Sequence, residues 1–168
     1  MLKKVAVIMG SDSDLPVAEK CINQLRSFGI PFEVHIMSAH RTPEQAAAFA
    51  RSARDEGFGV LIAMAGMAAH LAGALAAQTI LPVIGVPCTG GAAGGLDALL
   101  STVQMPAGIP VATVALGGGA NAAVLAAQIL ALSDESIATA LIQRKADMVR
   151  EVDQKQEALR QHILKEEI

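Results

Sequence analysis

The segment from residue 60 to residue 88 contains no Asp, Glu, Lys or Arg. Such a run either crosses a membrane or lies inside a folded core, because apolar surface is unfavourable in water. Gly66, His70 and Pro82 interrupt the run, and Ala and Gly outnumber Leu and Ile in it, which argues against a spanning helix. The segment instead predicts a strand, a helix and a second strand, with both strands buried on both faces of a parallel sheet.

The composition of the whole chain favours association with copies of itself. Of the 168 residues, 52% are hydrophobic and 17% are charged, against roughly 25% charged in an average globular domain. A compact monomer exposes more polar surface than this, so we predict a homo-oligomer rather than a membrane protein. The net charge of −3, the 2% aromatic content and the absence of Trp and Tyr argue against a nucleic-acid partner.

The first residues bear on where the protein is located, and the cysteines bear on whether it binds a metal. The apolar run at residues 5–9 is too short for a secretory signal peptide. Cys21 and Cys88 lack the spacing of a metal site and are interpreted as small buried hydrophobic residues. We therefore expect a cytoplasmic protein that holds no metal.

Short β-branched runs alternate with helical patterns over residues 1–132. Strands are predicted at residues 5–9, 32–37, 60–64, 81–86 and 109–116. Helices are predicted at residues 14–28, 42–56, 68–78, 96–103 and 121–132. This order predicts parallel strands with right-handed crossovers and helices on both faces. The predicted class is α/β, a three-layer doubly wound parallel sheet of the flavodoxin-like type, formed by one domain.

Two predicted helices begin with capping residues. Asp14 precedes Leu15 and Pro16, so Asp14 is expected to cap the first helix. Thr42 is expected to cap the second helix, with the side chain of Gln45 completing a capping box.

Residues 133–168 differ from the rest, because they are rich in charge and carry apolar residues every three or four positions. This pattern predicts a helical extension of the same domain. The extension packs either on its own domain or on a neighbouring subunit. The low charge of residues 1–132 favours the neighbouring subunit.

The loops that follow the strands are the places to look for a ligand, because ligands of open parallel sheets bind beyond the carboxyl ends of the strands. After the first strand, Ser11 and Ser13 offer hydroxyl groups, and the start of the next helix offers N–H groups for a phosphate. Asp14 suits hydroxyl groups such as a ribose diol. Alternatively, Ser13 and Asp14 only cap the helix.

After the second strand, Ser38, His40 and Arg41 stand before a helix. Arg41 can fork onto a phosphate, and His40 can exchange protons near neutral pH. A cation at a helix N-terminus opposes the helix dipole, which suggests that a ligand explains Arg41. The alternative is that these are surface polar residues without a ligand.

The loop after the third strand includes Gly66, Ala68 and His70. Its backbone N–H groups can hold a small carboxylate, whereas His70 can equally be a hydrogen-bonded core residue. The Gly117-Gly118-Gly119 run lacks the Walker lysine and the dinucleotide spacing, so it is interpreted as a plain turn.

Several of these loops together resemble one known family. The segments at residues 9–14, 38–43, 68–71 and 103–106 read MGSDSD, SAHRTP, AAHL and VQMP, and GIPV follows at 108–111. In this order they resemble the class I N5-carboxyaminoimidazole ribonucleotide mutases of bacterial purine biosynthesis. The resemblance covers about residues 4 to 150.

The resemblance implies an activity and roles for the site residues. It implies that a carboxylate moves from the exocyclic nitrogen of an aminoimidazole ribonucleotide to ring carbon C4, in a homo-octamer, without metal or organic cofactor. By analogy His40 carries the proton, His70 belongs to the catalytic site, and the loop that includes Gly66 and Ala68 holds carbon dioxide. The remaining analogous residues are expected to bind the substrate, its phosphate or its ribose: Ser11, Ser13, Asp14, Ser38 and Arg41.

Four places depart from the family pattern. Met67 stands where the family has a second Gly, and Ala72 stands where it has Pro. The loop after the fourth strand has Cys88-Thr89-Gly90-Gly91 in place of a Gln-Ser pair, and the turn at Gly117 is about two residues short and lacks the usual Lys. Two other functions remain as alternatives: a carboxylase that uses free carbon dioxide, and a nucleotide-binding protein without activity. The carboxylase class usually has Lys after the His of the second loop and lacks AAHL, so Arg41 and His70 favour the mutase.

Overall fold

A computed structural model of the chain describes residues 2–91 and 93–166, and these form a five-stranded parallel sheet. The strands are β1 (Lys4–Met9), β2 (Phe32–Ile36), β3 (Phe58–Ala65), β4 (Val83–Pro87) and β5 (Ala112–Thr113). Their order is β2-β1-β3-β4-β5, which is the flavodoxin-like order. The fold class predicted from the sequence is therefore confirmed.

Helices cover both faces of the sheet and give three layers. They are α1 (Leu15–Ser27), α2 (Pro43–Ser52), α3 (Leu71–Ala76), α4 (Leu96–Val103), α5 (Gly119–Ala131) and α6 (Glu135–Glu166). Helices α1 and α5 pack together on one face, and α2, α3 and α4 lie on the other. Helix α6 packs on α5.

Side chains of β1 alternate between two hydrophobic cores. Val5 and Val7 point into the core shared with α1 and α5, whereas Ala6 and Ile8 point into the core shared with α2 and α3. All four are fully buried, which explains why the strand reads as a continuous apolar run.

The charge-free segment contains most of β3, all of α3 and β4, as predicted. Among the described residues, no helix combines the length and the apolar character needed to cross a bilayer. The loop between β3 and α3 is longer than expected, because the helix begins at Leu71 rather than at residue 68. Two tight backbone hydrogen bonds occupy this loop: Ala69 N to Met67 O at 2.9 Å and His70 N to Ala68 O at 2.8 Å.

The fifth strand is the least accurate prediction, because only Ala112 and Thr113 of residues 109–116 are in strand. β5 is an edge strand that pairs with β4 alone. Pro110 has no N–H for a ladder hydrogen bond, which shortens the strand at its start. The predicted second helix also ends early, at Ser52, and turns lead from there to Gly57 and β3.

The predicted capping box at Thr42 and Gln45 is wrong. Thr42 Oγ1 makes no cap bond to the helix; it accepts the Ser38 N–H at 2.9 Å and donates to the Ser38 carbonyl at 3.2 Å. A capping box forms instead between Ser11 and Asp14. Helix α1 begins after Asp14, whose side chain makes no cap bond to α1 itself.

Helix α6 confirms the predicted helical extension as far as residue 166, and the last two residues lie outside the described part. Ile137 is buried in the core beside α5. From residue 148 to residue 164 every side chain is exposed. The packing of this extension on a neighbouring subunit stays a prediction.

Candidate functional site

The carboxyl ends of the first four strands are aligned, and this places their loops side by side. One row across the sheet consists of Ile36, Met9, Met64 and Val86, each paired with the next. A cleft of about 640 Å³ opens beyond this row. Ligand sites of open parallel sheets occur at this edge.

All nine residues singled out from the sequence line this cleft. They come from the loops after β1, β2 and β3, and they are Ser11, Ser13, Asp14, Ser38, His40, Arg41, Gly66, Ala68 and His70. The structure therefore brings the predicted residues together. Their individual roles in binding and catalysis stay predictions.

The loop after β1 bonds mainly to itself. Asp14 Oδ2 accepts the Ser11 N–H at 3.2 Å, and Ser11 Oγ accepts the Ser13 N–H at 3.3 Å. The Asp14 N–H donates to the Ser11 carbonyl at 3.2 Å. The amides of Ser11, Ser13 and Asp14 thus take part in bonds within the loop. The expectation that the start of the next helix binds a phosphate stays a prediction.

Asp14 is a buried carboxylate at the floor of the cleft. Only 7% of the residue is exposed. Burial raises the pKa of Asp14, while the hydrogen bonds from the Ser11 backbone and the Cys88 side chain act in the opposite direction. One carboxylate oxygen takes the Ser11 N–H, so the group retains lone pairs for hydroxyl groups of a ligand.

Cys88 is the site residue that the sequence interpretation missed. It follows β4 directly, is 4% exposed, and lines the cleft beside Asp14. Burial, and then the negative charge of Asp14, raise the pKa of the Cys88 thiol to about 12, so the thiol stays protonated. Its position immediately after a buried strand is the sequence feature that could have placed Cys88 at the cleft, because the loops after the strands line it.

Ser38 organises the loop after β2. Its Oγ accepts the N–H groups of His40 at 3.3 Å and Arg41 at 3.1 Å. The hydroxyl oxygen accepts in both bonds, so its hydrogen is left for another acceptor, such as an anion. Ser38 thus fixes the backbone from which His40 and Arg41 project.

His40 and Arg41 are both exposed at the cleft. None of the hydrogen bonds within the described part of the chain involves the His40 imidazole or the Arg41 guanidinium. Both groups are therefore available to bind a ligand. A cation at the start of α2 is also unfavourable next to the positive end of the helix dipole, and an anionic ligand would offset this for Arg41.

The loop after β3 presents His70 to the cleft. His70 is exposed, so its interpretation as a core residue is wrong. A Cβ placed on Gly73 would lie 2.9 Å from His70 Cε1 and 3.0 Å from Met105 Sδ. The imidazole thus packs against α3 at Gly73, where the side chain of any larger residue would clash with it.

Met67 occupies the same loop in an unusual conformation. Its φ is 56°, in the left-handed region that glycine adopts easily. The loop geometry explains why a glycine is expected here. By contrast, the Gly117 turn lies outside the cleft, as its interpretation as a plain turn implies.

The described residues include no group of three or more His, Cys, Asp and Glu side chains arranged to hold a metal ion. The side chains that line the cleft differ in what they can do. One guanidinium suits an anion, one buried carboxylate suits hydroxyl groups, and two imidazoles can move protons.

Comparison with known proteins identifies the family. The AIR carboxylase family matches residues 4–151. The chain is 52% identical over 155 residues to N5-carboxyaminoimidazole ribonucleotide mutase of Pyrococcus horikoshii, covering 92% of this chain and 88% of that protein. It is 54% identical over 139 residues to phosphoribosylaminoimidazole carboxylase of Saccharomyces cerevisiae, covering 83% of this chain and 24% of that protein.

A solved structure agrees with these sequence relatives. Treponema denticola PurE is 30% identical and superposes with a TM-score of 0.81, covering 94% of this chain and 98% of that chain. The strand order, the cleft and these relatives lead to one conclusion. The chain belongs to the AIR carboxylase family.

Proposed function

We propose that this protein is the mutase that converts N5-carboxyaminoimidazole ribonucleotide into 4-carboxy-5-aminoimidazole ribonucleotide in purine biosynthesis. Its relatives named for that activity, such as the 52% identical one, support the role. The observation that carries the proposal is the shared cleft of His40, Arg41 and Asp14 beside a loop of small residues. These groups match a substrate with a phosphate, a ribose and a mobile carboxylate.

The phosphate is held by Arg41, with the hydroxyl groups of Ser13 and Ser38 as further donors. The Ser38 hydroxyl supports this placement because its oxygen only accepts from the protein. The ribose hydroxyl groups donate to the buried carboxylate of Asp14. Ser11 positions Asp14 through its N–H.

His40 carries one proton through both halves of the reaction. The imidazolium gives its proton to the exocyclic nitrogen as the nitrogen–carbon bond of the carbamate breaks, and the bonding electrons stay on nitrogen while carbon dioxide leaves. The electron-rich C4 then forms a bond to the carbon of carbon dioxide, which becomes a carboxylate. The C4 proton returns to His40 and restores the imidazolium.

The carbon dioxide waits beside the ring in the loop after β3. Gly66 has no side chain and Ala68 has only a methyl group there, and His70 stands at the helix end of the loop. Holding the released molecule next to C4 makes its recapture an intramolecular event. His70 acts at this position as the second imidazole of the catalytic site.

His40→Asn tests the proton carrier directly. We expect kcat to fall about 10²–10⁴-fold, the contribution of a general acid–base group, while substrate binding measured by calorimetry persists. His162→Asn on α6, outside the cleft, is the matched control and should keep full turnover. Undiminished kcat in the His40 variant would exclude it as the proton carrier.

The same assay separates the two other functions. A carboxylase would consume free aminoimidazole ribonucleotide and bicarbonate rapidly and leave the carbamate untouched. A non-catalytic protein would bind the carbamate and convert none of it. Either result would refute the mutase, whereas conversion of the carbamate without added bicarbonate supports it.

We further propose that the protein works in the cytoplasm as a homo-octamer, with residues 133–168 packed on a neighbouring subunit. One face of α6 supports this packing. It carries a stripe of exposed apolar side chains, namely Ile142, Val149, Val152, Leu159 and Ile163. Such a continuous apolar stripe on an otherwise charged helix indicates a protein contact. The two buried free thiols suit a reducing compartment.

Light scattering tests the assembly. We expect a particle of eight times the 17.3 kDa chain mass. Val149→Glu places a charge in the apolar stripe and should produce smaller species, whereas Gln154→Glu on the opposite side of α6 should not. A particle of one chain would refute the octamer.

The location is tested separately, by fusion of a fluorescent protein to the chain.

A further inference from the structure

Met67 is the non-glycine residue with a positive φ among the described residues. A side chain in this conformation costs conformational free energy that a glycine would avoid. A strained residue persists where the surrounding structure holds it, and such residues cluster at functional sites. The position of the Met67 side chain indicates what function this strained residue has.

The Met67 side chain lies at the mouth of the cleft. It is 64% exposed and yet lines the cleft, so one side faces solvent and the other faces the site. It also reaches towards the loop after β4, because a Cβ placed on Gly91 would lie 3.5 Å from Met67 Cγ. The thioether thus extends from the loop after β3 to the loop after β4.

Small residues line the part of the cleft next to Met67, and the buried carboxylate of Asp14 lies beside Cys88 there. Gly66 has no side chain, a Cβ placed on it would meet only Cys88 atoms at 3.7 Å or more, and Ala65 and the buried Cys88 also line this part of the cleft. Carbon dioxide is neutral and apolar, so charged groups cannot grip it. A closed wall is therefore the means by which a protein retains it during recapture.

We infer that Met67 is a positioning residue whose side chain closes the outer wall of the carbon dioxide pocket. This inference rests on the proposed mutase function and concerns a side chain that this chain has in place of glycine. The nitrogen–carbon bond of the carbamate breaks with protonation of the nitrogen by His40. The carbon dioxide then stays behind Met67 until C4 bonds to its carbon and the C4 proton returns to His40.

Two substitutions separate the side chain from the strained backbone. Met67→Ala removes the thioether but keeps a Cβ at a positive φ, whereas Met67→Gly removes both. Met67→Leu keeps apolar bulk and serves as the conservative variant. Met148→Ala on α6, outside the cleft, is the matched control for loss of an exposed methionine side chain.

The readout is exchange of the migrating carbon with solvent. Unlabelled carbamate substrate is turned over in ¹³C-bicarbonate with carbonic anhydrase, and mass spectrometry measures ¹³C in the product carboxylate, corrected by a blank without enzyme. We expect at least a threefold higher labelled fraction for Met67→Ala and Met67→Gly than for the wild type, Met67→Leu and Met148→Ala. Decarboxylated ribonucleotide should accumulate in the same two variants.

The outcomes that refute the inference are distinct. Equal labelling in all enzymes, or complete labelling in the wild type, would show that Met67 retains nothing. Higher labelling in Met67→Gly alone would assign the effect to backbone freedom. If the wild type makes no product from the carbamate, the proposed function itself fails, and that result is visible before any variant is compared.

Discussion

Asp14→Asn removes a buried charge from the cleft and should stabilise the protein while weakening it as an enzyme. Burial raises the pKa of Asp14 in the folded state above its usual value of about 3.9. A raised folded-state pKa means that the folded protein loses stability as pH rises from the unfolded value through the folded one. The variant has no such charge, and its amide oxygen can still accept the Ser11 N–H.

The raised pKa of Asp14 determines how the stability difference between the variant and the wild type changes with pH. Well below the unfolded pKa of about 3.9, Asp14 is protonated in both states, and the wild type and Asp14→Asn should have similar free energies of unfolding. At pH 7 the variant should be the more stable of the two. Urea denaturation from well below pH 4 up to pH 8, at one protein concentration, measures the difference.

Substrate binding should change in the opposite direction. A hydrogen bond to a charged acceptor contributes about 1.5–3 kcal/mol. Its loss corresponds to a rise in the substrate Kd of roughly 10- to 150-fold, since 1.4 kcal/mol is a factor of ten. Calorimetry with a substrate analogue that keeps the ribose and phosphate measures this.

Asp12→Asn is the matched control for Asp14→Asn. Asp12 is exposed in the same loop and lies outside the lining of the cleft. Its substitution removes the same charge and should leave the pH dependence of stability nearly unchanged. Our reasoning about Asp14 is refuted if Asp14→Asn is less stable than the wild type at pH 7 and binds the analogue equally well.

Two glycine substitutions test the packing around the site. Gly73→Ala places a Cβ 2.9 Å from His70 Cε1, so kcat/KM should fall while stability changes by only about 1 kcal/mol, because Ala favours the helix. Unchanged kcat/KM would remove His70 from the catalytic site. Gly119→Ala places a Cβ directly against the Val17 carbonyl oxygen, so α1 and α5 must separate. Urea denaturation should show a loss of about 1–3 kcal/mol, and an unchanged midpoint would contradict the packing described here.

The strands that are buried on both faces could be predicted well from the sequence, whereas the bounds of the edge strand β5 could not. β1 and β3 are continuous apolar runs because both faces are covered, and this pattern is visible without a structure. β5 forms pairs on one side only, so its two-residue length depends on its neighbour and on Pro110. Tertiary contacts, rather than local preference, set its bounds.

The site could be predicted as a set of loops but not in its hydrogen bonding. Parallel strands deliver their following loops to one edge, so His40, Asp14 and His70 were expected together. The bonds that occupy the Ser11 and Ser13 amides depend on the side-chain conformations of that loop, which residue types alone do not determine. For the same reason the left-handed backbone of Met67 could be found only in the folded chain.

The double hydrogen bond at Ser38 couples two side chains that differ in chemistry. A change at that one oxygen would displace His40 and Arg41 together, since both amides bond to it. Substitutions at Ser38 and at either neighbour should therefore be non-additive in their effects on kcat/KM. For protein engineering, His40 and Arg41 therefore share a single backbone anchor, and a change made at one of them is expected to affect the other.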